Sequence, residues 1–240
     1  MPSLLSSFFA ICLLALVANI GFAQNFYKER VPRPHSVHLS LGPASMYTDN
    51  GGPYRNFEFP ISPAVNLGLA KKLTNRINMR ATLGFQHVTS NKSYNPNLAL
   101  AWGREGNAYA FQGNAYTLDL MPEFYYSPFN SHIERPKYNG YAGIGLGFIV
   151  LPREQAVATP DGQVISNETG SSLYVPIRFG GMIGVSPLWD IGFEASIIAI
   201  LSDDIDGNAE FNSANDMLLQ GQFFVKRYLS PFPLWKKWFK

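Results

Sequence analysis

The sequence predicts an all-β chain folded as an eight-stranded antiparallel transmembrane β-barrel with short periplasmic turns and long outer loops. Three observations carry this. Apolar and polar residues alternate through eight separate stretches, and alternation sends successive side chains to opposite faces of a strand. The seven connections between those stretches alternate long and short, beginning and ending long, as outer-membrane barrels do. The chain also opens on an uncharged, apolar segment of the kind that directs export.

That opening segment comes first. Residues 2–23 contain no Lys, Arg, Asp or Glu, 4–16 are mostly apolar, and Gly21-Phe22-Ala23 has the small-x-small form of a cleavage site. The expected organisation is a signal peptide over 1–23, cut before Gln24, and one barrel domain over 24–240. Cys12 is the only cysteine and falls inside the leader. The mature chain therefore has no disulfide, thiolate metal site or cysteine nucleophile. Charged residues are 15% of the chain and the formal net charge is +2. The first figure leaves few groups to solvate a surface, against roughly 25% in soluble proteins. The second, with no basic stripe, does not suggest nucleic acid, and no such partner is expected.

The strands follow in order. The first, about 36–47, sets Val37, Leu39 and Leu41 on one face. The second, about 61–72, turns Val65, Leu67 and Leu69 outward and Asn66 and Gly68 inward. A tight turn leads to the third, 77–88, where Leu83 and Phe85 oppose Arg80, Thr82 and Gln86. Residues 89–114 are expected as a long loop whose apolar pieces, 98–102 and 108–111, pair as a small hairpin. The fourth strand, 115–126, has Tyr116, Leu118, Leu120 and Phe124 outward and Asp119 and Glu123 inward. The fifth, 138–150, alternates Ala142, Ile144, Leu146 and Phe148 with Tyr141, Gly143, Gly145 and Gly147. Residues 151–172 are expected as a mostly polar loop. The sixth and seventh strands form a hairpin over 174–201 that turns near Leu188, with Arg178 and Glu194 inward. An acidic loop, 202–216, leads to the eighth strand, 217–228. Pro122 and Pro176 each lack a ladder donor, so bulges or strand ends are expected there. Tyr126, Tyr138, Trp189 and Tyr228 fall near periplasmic strand ends, where an aromatic girdle belongs.

The inward face holds the candidate site. Arg80, Asp119, Glu123, Arg178, Glu194 and Lys226 form the expected barrel-interior charge network, since charges at that depth are costly unless paired. A turn near Leu188 sets Arg178 opposite Ile198, so its partner is expected on another strand. Glycines at 143, 145 and 147 leave room for long side chains, and eight staves enclose an interior that side chains fill. His35, His38, His87 and His132 lack ligand spacing. Asp203, Asp204, Asp206, Asn208 and Glu210 have calcium-loop composition, but Gly207 is misplaced for that motif, so a solvated acidic loop is expected. Asn167-Glu168-Thr169 matches a glycosylation sequon. The tail Trp235-Lys236-Lys237-Trp238-Phe239-Lys240 suits a membrane surface or a periplasmic partner.

Several segments resemble the small Bacteroidota outer-membrane barrels related to PorG, a component of the type IX secretion system. They are Gly42-Pro43-Ala44-Ser45-Met46-Tyr47-Thr48-Asp49, Pro63-Ala64-Val65-Asn66-Leu67-Gly68-Leu69 and Asn75-Arg76-Ile77-Asn78-Met79-Arg80-Ala81. Tyr141-Ala142-Gly143-Ile144-Gly145-Leu146-Gly147, Val175-Pro176-Ile177-Arg178-Phe179-Gly180-Gly181 and Ser202-Asp203-Asp204-Ile205-Asp206 continue the likeness. Thr48 departs from the Gly that usually follows the family's Tyr. The resemblance implies an outer-membrane location and a non-enzymatic role in the cell envelope, with type IX secretion as the assembly. Outer-membrane lipid and periplasmic or secretion-system proteins are then the partners, and no cofactor is expected. Two readings compete: a lipid-modifying enzyme using His87 and Ser90, and a narrow channel along the polar interior.

Overall fold

The computed structural model describes residues 32–48, 60–90, 96–208 and 215–230. The expected leader, the tail from 235 onward and most of the first long loop lie outside the described residues. Among the described residues nine strands are present: β1 (His35–Tyr47), β2 (Ser62–Lys72), β3 (Ile77–Thr89), β4 (Ala110–Tyr125), β5 (Tyr138–Ile144), β6 (Leu146–Thr159), β7 (Gly162–Ser186), β8 (Trp189–Ile200) and β9 (Met217–Leu229). One helix, α1 (Pro96–Arg104), lies between β3 and β4. Every neighbouring pair is antiparallel, and β3–β4 pairing closes the sheet on itself. β5 and β6 are two halves of one stave, so the ring has eight staves.

The split in that stave has an identifiable cause. Leu120 pairs with Leu146 and Glu123 with Gly143, so the register is unchanged across the gap and sets Pro122 opposite Ile144. On the other side the Gly145 amide donates to the Pro176 carbonyl at 3.1 Å, and Pro176 has no N–H to return. Two prolines, one on each flank, thus remove donors at the same joint. The result is missing rungs rather than a bulge.

The outside is apolar because the register stacks alternate residues into lateral rows. Leu39, Leu67, Leu83, Leu118, Phe148 and Leu173 are consecutive cross-strand partners on six adjacent staves. Each is exposed. A continuous outward belt of this kind is far larger than the apolar patches of water-soluble monomers. In hydrocarbon only helices and closed barrels satisfy every backbone polar group, and an antiparallel ring of eight staves with an apolar outside is the architecture of outer-membrane barrels. The outer membrane is where this protein belongs.

Three expectations are corrected at the long-loop end. Residues 151–172 are not a loop: β6 and β7 continue as a hairpin that turns at Pro160-Asp161 into Gly162, where φ is +142°. Beyond the membrane no face meets hydrocarbon, so the apolar alternation fades while the ladder persists. Residues 98–102 are helical rather than half of a hairpin. Pro96 opens α1, Arg104 lies in its last turn, and Gly106 follows at φ +84°, the usual start and stop signals. Ala99 and Trp102 are its buried face, and Gly103 approaches the Ala158 carbonyl so closely that a Cβ would fall 1.8 Å from it. β4 begins at Ala110, five residues before its expected start, to pair with the extended β6.

Candidate functional site

The interior is built from the inward halves of the alternating strands. Arg80 on β3 holds two carboxylates, Glu123 on the neighbouring β4 (3.0 Å) and Glu194 across the lumen on β8 (2.6 Å). Arg178 on β7 holds Asp119 on β4 with both terminal nitrogens, at 2.8 and 2.5 Å. Its Nε lies 3.7 Å from Glu194, which therefore sits between two guanidinium groups. The fork of arginine matches the carboxylate plane, which makes this pairing geometrically specific. Arg178 stands opposite Ser196, not Ile198, because the turn closes with Ser186 paired to Trp189 and the register shifts once more between Gly184 and Ser186.

Tyrosines complete the coordination of each carboxylate. Tyr174 donates to Asp119 at 2.8 Å, Tyr141 to Glu194 at 2.5 Å and Tyr125 to Glu123 at 2.9 Å. Lys226 on β9 donates to the Tyr125 hydroxyl at 3.1 Å, which places it one phenol away from Glu123. The rings of Tyr125 and Tyr228 also lie 5.1 and 5.0 Å from its ammonium. Glycines make room for these rings. A Cβ on Gly147 would fall 2.4 Å from the Tyr174 ring, and one on Gly180 would fall 2.3 Å from that of Tyr141. Each glycine is the direct cross-strand partner of the tyrosine it accommodates.

All six residues expected inside the barrel are buried, and contacts among them and their tyrosines join them in one cluster. Sequence reasoning missed a fourth carboxylate, Asp190, which Arg135 from the 126–137 turn holds at 2.6 and 2.9 Å while Tyr228 donates to it at 2.9 Å. Asp190 shares the parity of Glu194, so alternation marks it as inward; Arg135 lies in a turn, where no periodicity applies. The same parity places Tyr228 inside rather than in the girdle, and it is buried. Tyr126 and Tyr138 are outward and exposed, and Trp189 stacks under Arg227 at 5.0 Å.

Two apolar seals and an amide ladder fill the rest. Asn66 donates to Gln220 (2.9 Å) and Gln222 (2.7 Å), and Gln220 donates to Gln86 (2.9 Å). Above them Met46, Phe111, Ile149, Leu151, Ile198 and Leu218 pack with Ile205, contributed by the acidic loop. Arg153 holds that loop by donating to the Ile205 carbonyl at 2.8 Å. Residues 202–208 are accordingly not a fully solvated loop: Asp206 and Asn208 are buried. Among the described residues no three His, Cys, Asp or Glu side chains converge as a metal site. At the other end Phe129, from the 126–137 turn, packs with Tyr125, Tyr141, Met182 and Phe224.

Outside the membrane-spanning part, His132 and Asp203 have shifted protonation. Burial, with Arg33 and Arg135 nearby, pulls His132 down to about 4. Desolvation, then the neighbouring Asp204, raises Asp203 above the usual carboxylate range. His87 and Ser90 are not assembled into a dyad. His87 Nδ1 lies 2.9 Å from the Asn114 side-chain oxygen, while Ser90, of opposite parity, is buried and accepts from the Phe111 amide at 2.9 Å.

No family model matches the sequence, and no curated protein matches it. Solved structures similar in outline include Neisserial surface protein A, at 10% identity and TM-score 0.49 over 82% of this chain and 97% of that one. The attachment invasion locus protein Ail of Yersinia pestis, in complex with a heparin analogue, gives 10% and 0.45 over 81% and 97%. The outer membrane enzyme PagL gives 12% and 0.39 over 81% and 99%. With scores below 0.5, none adds an argument to the barrel read from the strand ring itself.

Proposed function

We propose that this protein is a non-enzymatic anchor or assembly component of the cell envelope, and that the assembly it serves is type IX protein secretion. The observation that supports a structural role most strongly is the filled lumen. Asp119, Glu123, Glu194 and Asp190 all receive a cation and a phenol inside the barrel. Apolar clusters close the lumen above and below them. Carboxylates that each hold a cation and a phenol tie strands together across the lumen and have little left for substrate or ions. The secretion assignment rests on the resemblance of the 42–49, 63–69, 75–81, 141–147, 175–181 and 202–206 segments to PorG-related barrels.

Deletion of the gene tests the assignment. Cargo of the secretion system is expected to accumulate in the periplasm, and a deletion strain that secretes normally removes the secretion role. Purified protein incubated with envelope lipids is expected to leave their mass spectra unchanged; new lipid products would make it an enzyme.

A further inference from the structure

One part of the lipid-facing belt is not a smooth wall of large side chains. Gly140 on β5 and Gly181 on β7 are direct cross-strand partners, both outward. A Cβ on Gly181 would meet nothing within 4 Å, and one on Gly140 would meet only the Gly180 carbonyl at 3.6 Å. The space is a trough of ≈ 860 Å³ walled by Tyr126, Tyr138, Ile183, Phe193 and Phe223, and a second section of ≈ 710 Å³ shares Tyr126, Gly140, Gly181 and Phe193 with it. Its lower lip is formed by Tyr126 and Tyr138 where they adjoin the 126–137 turn, at the depth of the periplasmic headgroups. Two cations stand at that lip. Lys137 lies 5.8 Å over the Tyr138 ring, and Arg76 donates to the Tyr126 carbonyl at 3.3 Å. Neither makes an ion pair among the described residues.

We infer that the Gly140–Gly181 trough is a binding site for one anionic glycerophospholipid of the periplasmic leaflet, with an acyl chain lying across the glycine pair and the phosphate at Lys137 and Arg76. The chemistry at the two ends selects this occupant. The trough is lined mainly by apolar and aromatic side chains, with Ser127 and Asn139 among them, and opens onto hydrocarbon. Its lip offers two cations without an ion pair among the described residues and two amphipathic phenols at headgroup level, where such rings settle. Glycines opposite each other remove two side chains at once, so a chain in the trough gains contacts on three sides that a chain elsewhere on the belt lacks. The cations then discriminate between headgroups, each favouring an anionic one by about fivefold.

Native mass spectrometry of the full protein released from bilayers of mixed phosphatidylglycerol and phosphatidylethanolamine tests this. The wild type is expected to retain one phosphatidylglycerol in excess of its share of the bilayer. Gly181→Leu fills the trough and is expected to abolish retention of both lipids. Lys137→Ala and Arg76→Ala leave the trough open and are expected to lower the preference for the anionic lipid about fivefold each while phosphatidylethanolamine is still retained. Both kinds of variant change outward or rim positions, and unaltered heat-modifiability on gels verifies that the barrel has formed. Retention that follows bulk composition overturns the inference, as does retention unaffected by Gly181→Leu. A second copy of the chain lost on Gly181→Leu overturns it too, making the trough a dimer contact.

Discussion

Tyr141 lies over Gly180, its cross-strand partner, and in doing so delivers its hydroxyl to Glu194. The glycine is thus part of the charge network although it carries no side chain. Gly180→Ala places a methyl 2.3 Å from the Tyr141 ring, which has to move. A cost of roughly 1–3 kcal/mol is expected from overpacking and the lost phenol. In urea unfolding, Tyr141→Phe is expected to cost less, and adding Gly180→Ala to it to cost less than the two changes summed, since both act on one hydrogen bond. Strict additivity would separate the glycine from the network.

The Arg178–Asp119 pair is buried on both sides and bidentate. Arg178→Met leaves the buried Asp119 with only its phenol, and the expected loss is about 3–5 kcal/mol. Asp119→Leu in the same chain removes the stranded charge and is expected to recover most of that loss. Unfolding midpoints of the two variants in one detergent decide it; a double variant as unstable as the single one would contradict the desolvation argument.

His132 supplies a pH dependence whose sign is fixed. Its folded value is about 4 against an ordinary 6.5, so the fold holds the neutral ring. The unfolded chain binds a proton first as pH falls, and the stability is complete above 6.5 and lost progressively between 6.5 and about 4. His132→Gln is expected to remove this part of the acid sensitivity. The check is the difference between wild-type and variant midpoints from pH 7 to 4, which cancels carboxylates common to both. A constant difference would mean that the ring titrates normally.

The outer seal depends on Arg153 holding the Ile205 carbonyl. Arg153→Ala is expected to release residues 202–208, so that a protease cuts there faster while the barrel remains intact. Equal cutting rates in wild type and variant would show that the loop is held by Ile205 packing alone.

The barrel itself was legible because hydrocarbon outside and polar groups inside impose a strict two-residue period. Every inward charge from Arg80 to Lys226 carries that parity, and so do Asp190, absent from the expected network, and Tyr228, expected in the girdle. Legibility ended where the solvent changed. Past Pro152 the outer face of the β6–β7 hairpin meets water and the other meets α1 and the 202–208 loop instead of a barrel interior, so only Pro160-Asp161-Gly162 marks its turn. α1 is too short for its 99/102 face to declare a helical period against a strand. Arg135 and Phe129 enter the lumen from a turn, and which turn residue folds inward is a tertiary decision that no local pattern records.

The most direct test is a nitroxide scan along β3, Ile77–Thr89, in lipid bilayers. Labels at Met79, Ala81, Leu83 and Phe85 are expected to be accessible to oxygen and shielded from a water-soluble nickel chelate. Labels at Asn78, Thr82 and Gly84 are expected to be shielded from oxygen. Collisions without a two-residue period, or nickel access at Leu83, would contradict a barrel whose outer face is solvated by lipid.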